Sequence, residues 1–251
     1  MATLIGHSAH VWGLAVSPDG GYLTSASSDS TARIWDLKSG TCTRVLTGHT
    51  GRVNAVAIAP DSTWLVTIGD EGAARIWDRA SGSCTAVLAG HAGRGYDVAI
   101  SPDGTWLATG GESDDPAVRI WHVATSTVTA TLPGSGGKLA ISPDGTWIAA
   151  INDHWRVAIW DVATRTNTAT LTASWGPFAI SPDGVWIAAS KHFGEVHIWH
   201  RPSHRLVTSM RIDGTVSDCV WAPDSRRLAI ASNRGIYLFE LRPGSPTPTT
   251  G

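Results

Sequence analysis

The chain has 251 residues, of which 42% are hydrophobic and 16% charged, with a formal net charge of −2. That leaves ample side chain for a core and no whole-chain attraction to phosphate backbones or anionic membranes, which argues against a general nucleic-acid binder. No apolar run approaches the roughly 20 residues of a membrane-spanning helix, and residues 1–7 lack the charged and apolar regions of a signal peptide.

Three cysteines occur, Cys42, Cys84 and Cys219, none in a CxxC pair or at zinc spacing. Cys42 and Cys84 hold the same place in successive repeats, too far apart for a disulfide, which needs Cα atoms within about 7 Å. Three reduced thiols are expected, and with them a cytoplasmic protein.

From the first residues onward the chain repeats itself. The first unit runs from the apolar stretch Leu14-Ala15-Val16 through Ser17-Pro18-Asp19-Gly20, then Tyr22 to Ala26, then Ile34-Trp35-Asp36, then the Thr-rich Thr41 to Leu46. Proline presets φ for the first corner of a turn, and glycine takes the conformation that other residues avoid. The second unit has Val56-Ala57-Ile58, Ala59-Pro60-Asp61-Ser62 and Ile76-Trp77-Asp78; the third has Ser101-Pro102-Asp103-Gly104 and Ile120-Trp121-His122. Ile159-Trp160-Asp161, Ile198-Trp199-His200 and Leu238-Phe239-Glu240 close units four to six, and the aromatic residues step by 42, 44, 39, 39 and 40. A period near 40 marks a repeat architecture. Four short strands per unit with frequent turns leave no room for helices, so the fold class is all-β.

Gly6-His7, Gly48-His49 and Gly90-His91, taken with Pro-Asp-Gly and Trp-Asp, resemble the WD-repeat signature over residues 2–240. The resemblance implies a WD-repeat β-propeller, and six units imply six blades where most family members have seven. Residues 1–7 align with residues 43–49, the fourth strand of a unit, while the last unit stops at its third strand. Residues 2–5 are therefore expected to supply the outer strand of the last blade and close the ring, removing two open edges. Residues 1–241 form one domain on this reading, and the Pro/Thr-rich residues 242–251 a disordered tail.

Residues that look catalytic recur too often to be so. His7, Ser25, Asp29 and Trp35 return as His49, Thr67, Glu71 (or Asp70) and Trp77, and again as His91, Thr109, Asp115 (or Asp114) and Trp121, with 18 residues between each His and its hydroxyl. The family resemblance implies a buried relay of indole to hydroxyl to imidazole to carboxylate, each polar group partnered as burial demands. Units four to six put Ala150, Ala189 and Ile230 at the hydroxyl position and His154, Phe193 and Asn233 at the acid, so packing must hold them.

Other residues carry less. His192, His197, His200 and His204 cluster in sequence, but His197 and His200 fall on opposite sides of a strand, which favours solvated histidines over a metal site. Trp64, Trp106, Trp147 and Trp186 share one repeat position and read as rim packing. No cofactor or metal is expected, and no P-loop occurs.

Binding residues of a rigid scaffold concentrate on its loops. His10 and Trp12, Arg52 and Asn54, and Arg94 and Tyr96 hold matching places before the first strands of units one to three, and Trp155 and Trp175 fall in loops of units four and five. Arg, Trp and Tyr dominate interface hot spots, so these residues are expected to form a basic and aromatic mouth for a protein or peptide, without nucleic acid or membrane. The phrases Ser-Pro-Asp-Gly-Thr-Trp and Ala-Arg-Ile-Trp-Asp also resemble the WD-repeat ends of bacterial apoptotic-ATPase-type signalling proteins, which implies a non-catalytic scaffold or ligand sensor. The alternative is a propeller hydrolase or lyase, for which Asp97, Lys138 and Asp218 are the channel-side charges. Scattered charges without a defined pocket do not make an active site.

Overall fold

A computed structural model describes residues 3–112, 114–172 and 176–241, with His192 described by its backbone alone. Trp175 and residues 242–251 lie outside these, so the expectations placed on them do too. Strands alternate with turns along the whole described chain, which divides into two compact units, Met1–Ile141 and Ser142–Gly251.

The strands form six small antiparallel sheets, each in sequence order. The first holds β1 (Val11–Val16), β2 (Tyr22–Ser27), β3 (Ala32–Asp36) and β4 (Thr41–Leu46). The second holds β5 (Val53–Ile58), β6 (Trp64–Gly69), β7 (Ala73–Asp78) and β8 (Cys84–Ala89), and the third β9 (Gly95–Ile100), β10 (Trp106–Gly111), β11 (Ala117–His122) and β12 (Thr127–Pro133). The fourth holds β13 (Ser135–Ile141), β14 (Trp147–Asn152), β15 (Val157–Asp161) and β16 (Asn167–Leu171). The fifth holds β17 (Phe178–Ile180), β18 (Trp186–Ser190), β19 (Glu195–His200) and β20 (Arg205–Arg211); the sixth holds β21 (Val216–Trp221), β22 (Arg227–Ser232) and β23 (Gly235–Glu240).

The Pro-Asp-Gly segments make the expected turns. Gly20 N–H donates to Ser17 O at 2.8 Å, and Gly20 sits at φ 68°, left-handed backbone that glycine adopts without a Cβ penalty. Ser62 and Ser225 take the same left-handed place in the second and sixth sheets.

The Thr-rich fourth strands have a physical reason. At each Ile–Trp step of the third strand the ladder slips by one residue, for example between Ile34 and Trp35. Such a bulge leaves a residue unpaired. The hydroxyls of Thr43, Thr85, Thr129 and Thr168 turn inward there and donate to the carbonyls of Ile34, Ile76, Ile120 and Ile159, each at 3.2 Å. In the fifth sheet Val207 holds that place.

The core lies between neighbouring sheets. Ile34 and Tyr22 of the first sheet bury against Leu65 and Trp77 of the second. Ala74 and Ile76 of the second bury against Leu107 and Trp121 of the third.

Among the described residues the sixth sheet has three strands and residues 3–7 carry no strand, so the outer strand expected from residues 2–5 is not seen among them. Leu4 instead lies half-buried beside the Gly40 turn of the first sheet.

Candidate functional site: a hydrogen-bonded relay and an exposed loop surface

The repeats fold the catalytic-looking residues into three hydrogen-bonded chains. In the first sheet Trp35 Nε1 donates to Ser25 Oγ at 2.8 Å, Ser25 Oγ lies 2.6 Å from His7 Nε2, and His7 Nδ1 lies 2.7 Å from Asp29 Oδ2. With the proton on Nδ1, every donor in this chain meets an acceptor: indole to hydroxyl, hydroxyl to Nε2, Nδ1 to carboxylate. Burial alone would raise the Asp29 carboxyl, but bonds from Thr31, His7 and the Ser8 amide hold it well below its ordinary range.

The second sheet repeats the arrangement. Trp77 Nε1 donates to Thr67 Oγ1 at 2.8 Å, Thr67 lies 2.6 Å from His49 Nε2, and His49 Nδ1 lies 2.5 Å from Glu71 Oε1. Glu71 is the acid of this chain, and Asp70 serves elsewhere.

The third sheet differs in one group that the sequence reading did not single out. Trp121 Nε1 donates to Thr109 Oγ1 at 2.8 Å and His91 Nε2 lies 2.8 Å from the same oxygen. Asp115 is the nearby acid, but Arg119 Nη1 lies 2.7 Å from both His91 Nδ1 and Asp115 Oδ2. His91 Nδ1 also lies 3.2 Å from Asp115 Oδ2, so the acid is in reach as in the other two sheets, but a guanidinium can only donate, and Arg119 competes with that contact by offering its own N–H to Nδ1. The repeated arginine two residues before each tryptophan, Arg33, Arg75 and Arg119, was the available signal.

These chains lie largely inside the fold. Thr67 and Thr109 are fully buried, as are nearly all atoms of His49 and His91. Burial, with Arg119 also opposing charge at His91, pushes the pKa of both histidines below the ordinary value. A depressed histidine pKa means that the unfolded chain takes up protons first as pH falls. The stability from neutral His49 and His91 is therefore whole above about pH 6.5 and is lost as pH falls from there toward the lower folded values. The thermal midpoint should drop steadily between pH 7 and pH 5. A flat profile there would mean that these imidazoles are not held neutral inside the fold.

The loop residues expected to bind a partner are brought together in the first three sheets. The Trp12 ring is 54% exposed, its Nε1 donates to Ser28 Oγ at 2.6 Å, and the His10 ring meets it edge-on at 4.5 Å. The Arg52 guanidinium carbon lies 5.8 Å from the Trp12 ring centre, a cation–π distance. Asp70 ties the next layer down: it accepts from Arg52 Nε at 2.9 Å and from Asn54 Nδ2 at 3.0 Å. Asn54 Nδ2 also donates to Gly95 O of β9 at 2.7 Å, and beside Gly95 the Tyr96 ring is 49% exposed. Burial would raise the Asp70 carboxyl, and the bonds from Asn54 and Arg52 bring it below its ordinary range.

The surface is less basic than expected. Arg52 faces Asp70, and Arg94 Nη1 lies 3.6 Å from Glu112 Oε2, so each arginine has its own carboxylate. Trp155 is exposed, on left-handed backbone at φ 57°, in the second unit.

The remaining candidates resolve one by one. Trp64, Trp106 and Trp186 are half-buried and Trp147 is buried. Arg201 lies over the Trp147 ring at 4.9 Å. Asp97 Oδ2 accepts from the Leu139 amide at 3.0 Å, and Asp218 Oδ1 from the Cys219 amide at 2.9 Å, so both serve the backbone. His197 corrects the expectation of solvated histidines. It is buried, at the register place that Arg33, Arg75 and Arg119 hold in the first three sheets, opposite Ala189, and its Nε2 lies 2.7 Å from Glu195 Oε1. Among the described residues no His, Cys, Asp and Glu converge as a metal site.

Six four- or three-stranded sheets, each with an aromatic phrase on its third strand and three of them carrying the Trp, hydroxyl, His and acid set, make the fold that of a WD-repeat β-propeller. The family description "WD domain, G-beta repeat" matches residues 1–36, 40–78 and 82–122, the units in which the relay is complete. Among curated proteins the chain is similar to a ribosome biogenesis protein BOP1 homolog of Monosiga brevicollis, 43% identical over 42 residues, and to cell division control protein 4 of Saccharomyces cerevisiae, 50% identical over 42 residues. Each match covers 17% of this chain and 5% of the relative.

Proposed function

We propose that the chain is a non-catalytic interaction module that takes a protein or peptide on the loop surface of its first three sheets. The observation that carries this is the fixed row of Trp12, Arg52, Asp70 and Asn54. It presents an exposed indole and the outer guanidinium nitrogens of Arg52 on a braced underlayer. Hot spots are aromatic and arginine anchors that are already ordered before the partner arrives. Matched charges on this surface favour a partner with apolar or aromatic side chains flanked by both signs of charge over a purely anionic one. WD-repeat domains typically bind proteins or peptides, which supports the reading.

The module acts in the cytoplasm, as its three free thiols support, and it serves as the sensing part of a larger bacterial signalling protein, as the resemblance of its repeat phrases suggests. No helix among the described residues is long and apolar enough to cross a membrane.

The test is joint replacement of Trp12, Arg52 and Arg94 by alanine. Capture of a protein partner from source extract should fall at least tenfold, with the thermal midpoint close to that of the parent because all three side chains are substantially exposed. Equal capture by the triple variant and the parent would move the binding site elsewhere.

A further inference from the structure

Phe193 departs from the repeat. Counted back from the tryptophan of its sheet, it stands where Asp29 and Glu71 stand in the first two. Those acids turn inward to a histidine. Phe193 instead sits on left-handed backbone, at φ 59° and ψ 35°, and is 84% exposed. Left-handed backbone is an outlier for so bulky a residue. A strained turn that also exposes a large apolar ring points to a task outside the core. The turn is fixed in place: Gly194 O accepts from the Ile212 amide at 2.9 Å, and a Cβ on Gly194 would come within 2.2 Å of Ile212 O. The backbone that carries the ring is therefore ordered before any partner arrives.

Phe193 lines an open groove of about 390 Å³ with Glu195, Ser209, Met210 and Arg211. That volume is within the range of ligand pockets, about 300–1,000 Å³. The charges of the groove do not cancel. Glu195 Oε1 accepts from His197 Nε2 at 2.7 Å, a bond that holds the carboxyl below its ordinary range, and Glu195 Oε2 lies 3.7 Å from Lys191 Nζ. Arg211 stands across the ladder from Glu195, yet among the described residues its guanidinium has no ion-pair partner. A positive charge is thus left beside the apolar surface of Phe193 and Met210. Ser209, Met210 and Arg211 belong to β20, the last strand of its sheet, and an edge strand is a template for an extended segment.

We propose that this groove takes an extended peptide segment lying along β20, with an apolar side chain against Phe193 and Met210 and an Asp or Glu beside Arg211. The site uses residues of the unit Ser142–Gly251 alone. It does not rest on the loop surface of the first three sheets.

A random peptide library displayed on phage and panned against the full chain tests this. The parent should enrich sequences with an apolar residue beside Asp or Glu. Phe193→Asn should keep a thermal midpoint at or above that of the parent, because asparagine takes left-handed backbone more readily, yet bind the best enriched peptide at least tenfold more weakly by fluorescence anisotropy. Arg211→Glu replaces an exposed side chain; it should fold like the parent and no longer enrich the acidic motif. A parent that enriches no such motif would overturn the proposal, as would variants that bind the enriched peptide like the parent. Loss of the motif in Trp12→Ala, with both groove variants unaffected, would also overturn it and would assign the peptide to the loop surface of the first three sheets.

Discussion

Thr67→Ala should destabilise the protein by about 2–4 kcal/mol. Thr67 is fully buried, and its one oxygen serves two neighbours, accepting from Trp77 Nε1 at 2.8 Å and lying 2.6 Å from His49 Nε2. Removing it leaves an indole N–H and an imidazole lone pair without partners where water does not reach. Each orphaned group costs about 1–3 kcal/mol, and the two lie too close to add in full. For a chain of this size each kcal/mol moves the midpoint by about 2–4 °C, so the expected fall is roughly 5–15 °C. Calorimetry or urea unfolding reads it directly.

A second variant separates the relay from simple packing. Trp77→Phe removes the indole donor, so Thr67→Ala made in that background should cost less than it does in the parent. If the two losses simply add, the hydroxyl and the indole are not coupled. If Thr67→Ala alone costs under about 0.5 kcal/mol, the relay contributes little to the fold, and its threefold recurrence would need another explanation.

Most of the fold was legible because its determinants are local. The Pro-Asp-Gly and Ala-Pro-Asp-Ser turns fix where each first strand ends, and the Ile-Trp-Asp phrase fixes the third strand, so all six sheets could be placed from short segments at constant spacing. The relay was legible for the same reason. An interval of 18 residues from His to hydroxyl returns three times, and the structure joins each pair within 2.8 Å.

What was not legible depends on which side chains meet across strands. Asp70 and Glu71 are adjacent acids with equal claims in sequence, and the alternation of the chain sends one to Arg52 and Asn54 and the other to His49. Arg119 reaches the carboxylate of its own sheet while the arginine of the second sheet stays 3.6 Å from Glu71. His197 is buried by its register opposite Ala189, and no count of histidines could reveal that. The outer strand expected from residues 2–5 rested on sequence alignment alone, which shows what a segment resembles and not what it pairs with.

Ala189→Ser should do the reverse of Thr67→Ala and stabilise the protein by about 1–2 kcal/mol. Ala189 holds in the fifth sheet the register place that Thr67 holds in the second: Ala189 pairs with His197 as Thr67 pairs with Arg75, and the tryptophan lies two residues further along. With alanine there, neither the buried Trp199 Nε1 nor the buried His197 Nδ1 has a hydrogen-bond partner among the described residues. His197 uses its Nε2 proton on Glu195, so Nδ1 is an acceptor. A hydroxyl on residue 189 would stand between the two, accepting from the indole and donating to Nδ1, so one oxygen satisfies two orphaned groups. Serine is the choice because it adds a single atom to a position that is almost fully buried, where a larger side chain would strain the packing. The midpoint should rise by roughly 2–8 °C. Trp199→Phe discriminates the cause: in that background the serine has no indole to accept from, and most of the gain should vanish. If the gain survives, it comes from packing; if Ala189→Ser lowers the midpoint, the site has no room for the hydroxyl and the fifth sheet keeps its unpaired indole for want of space.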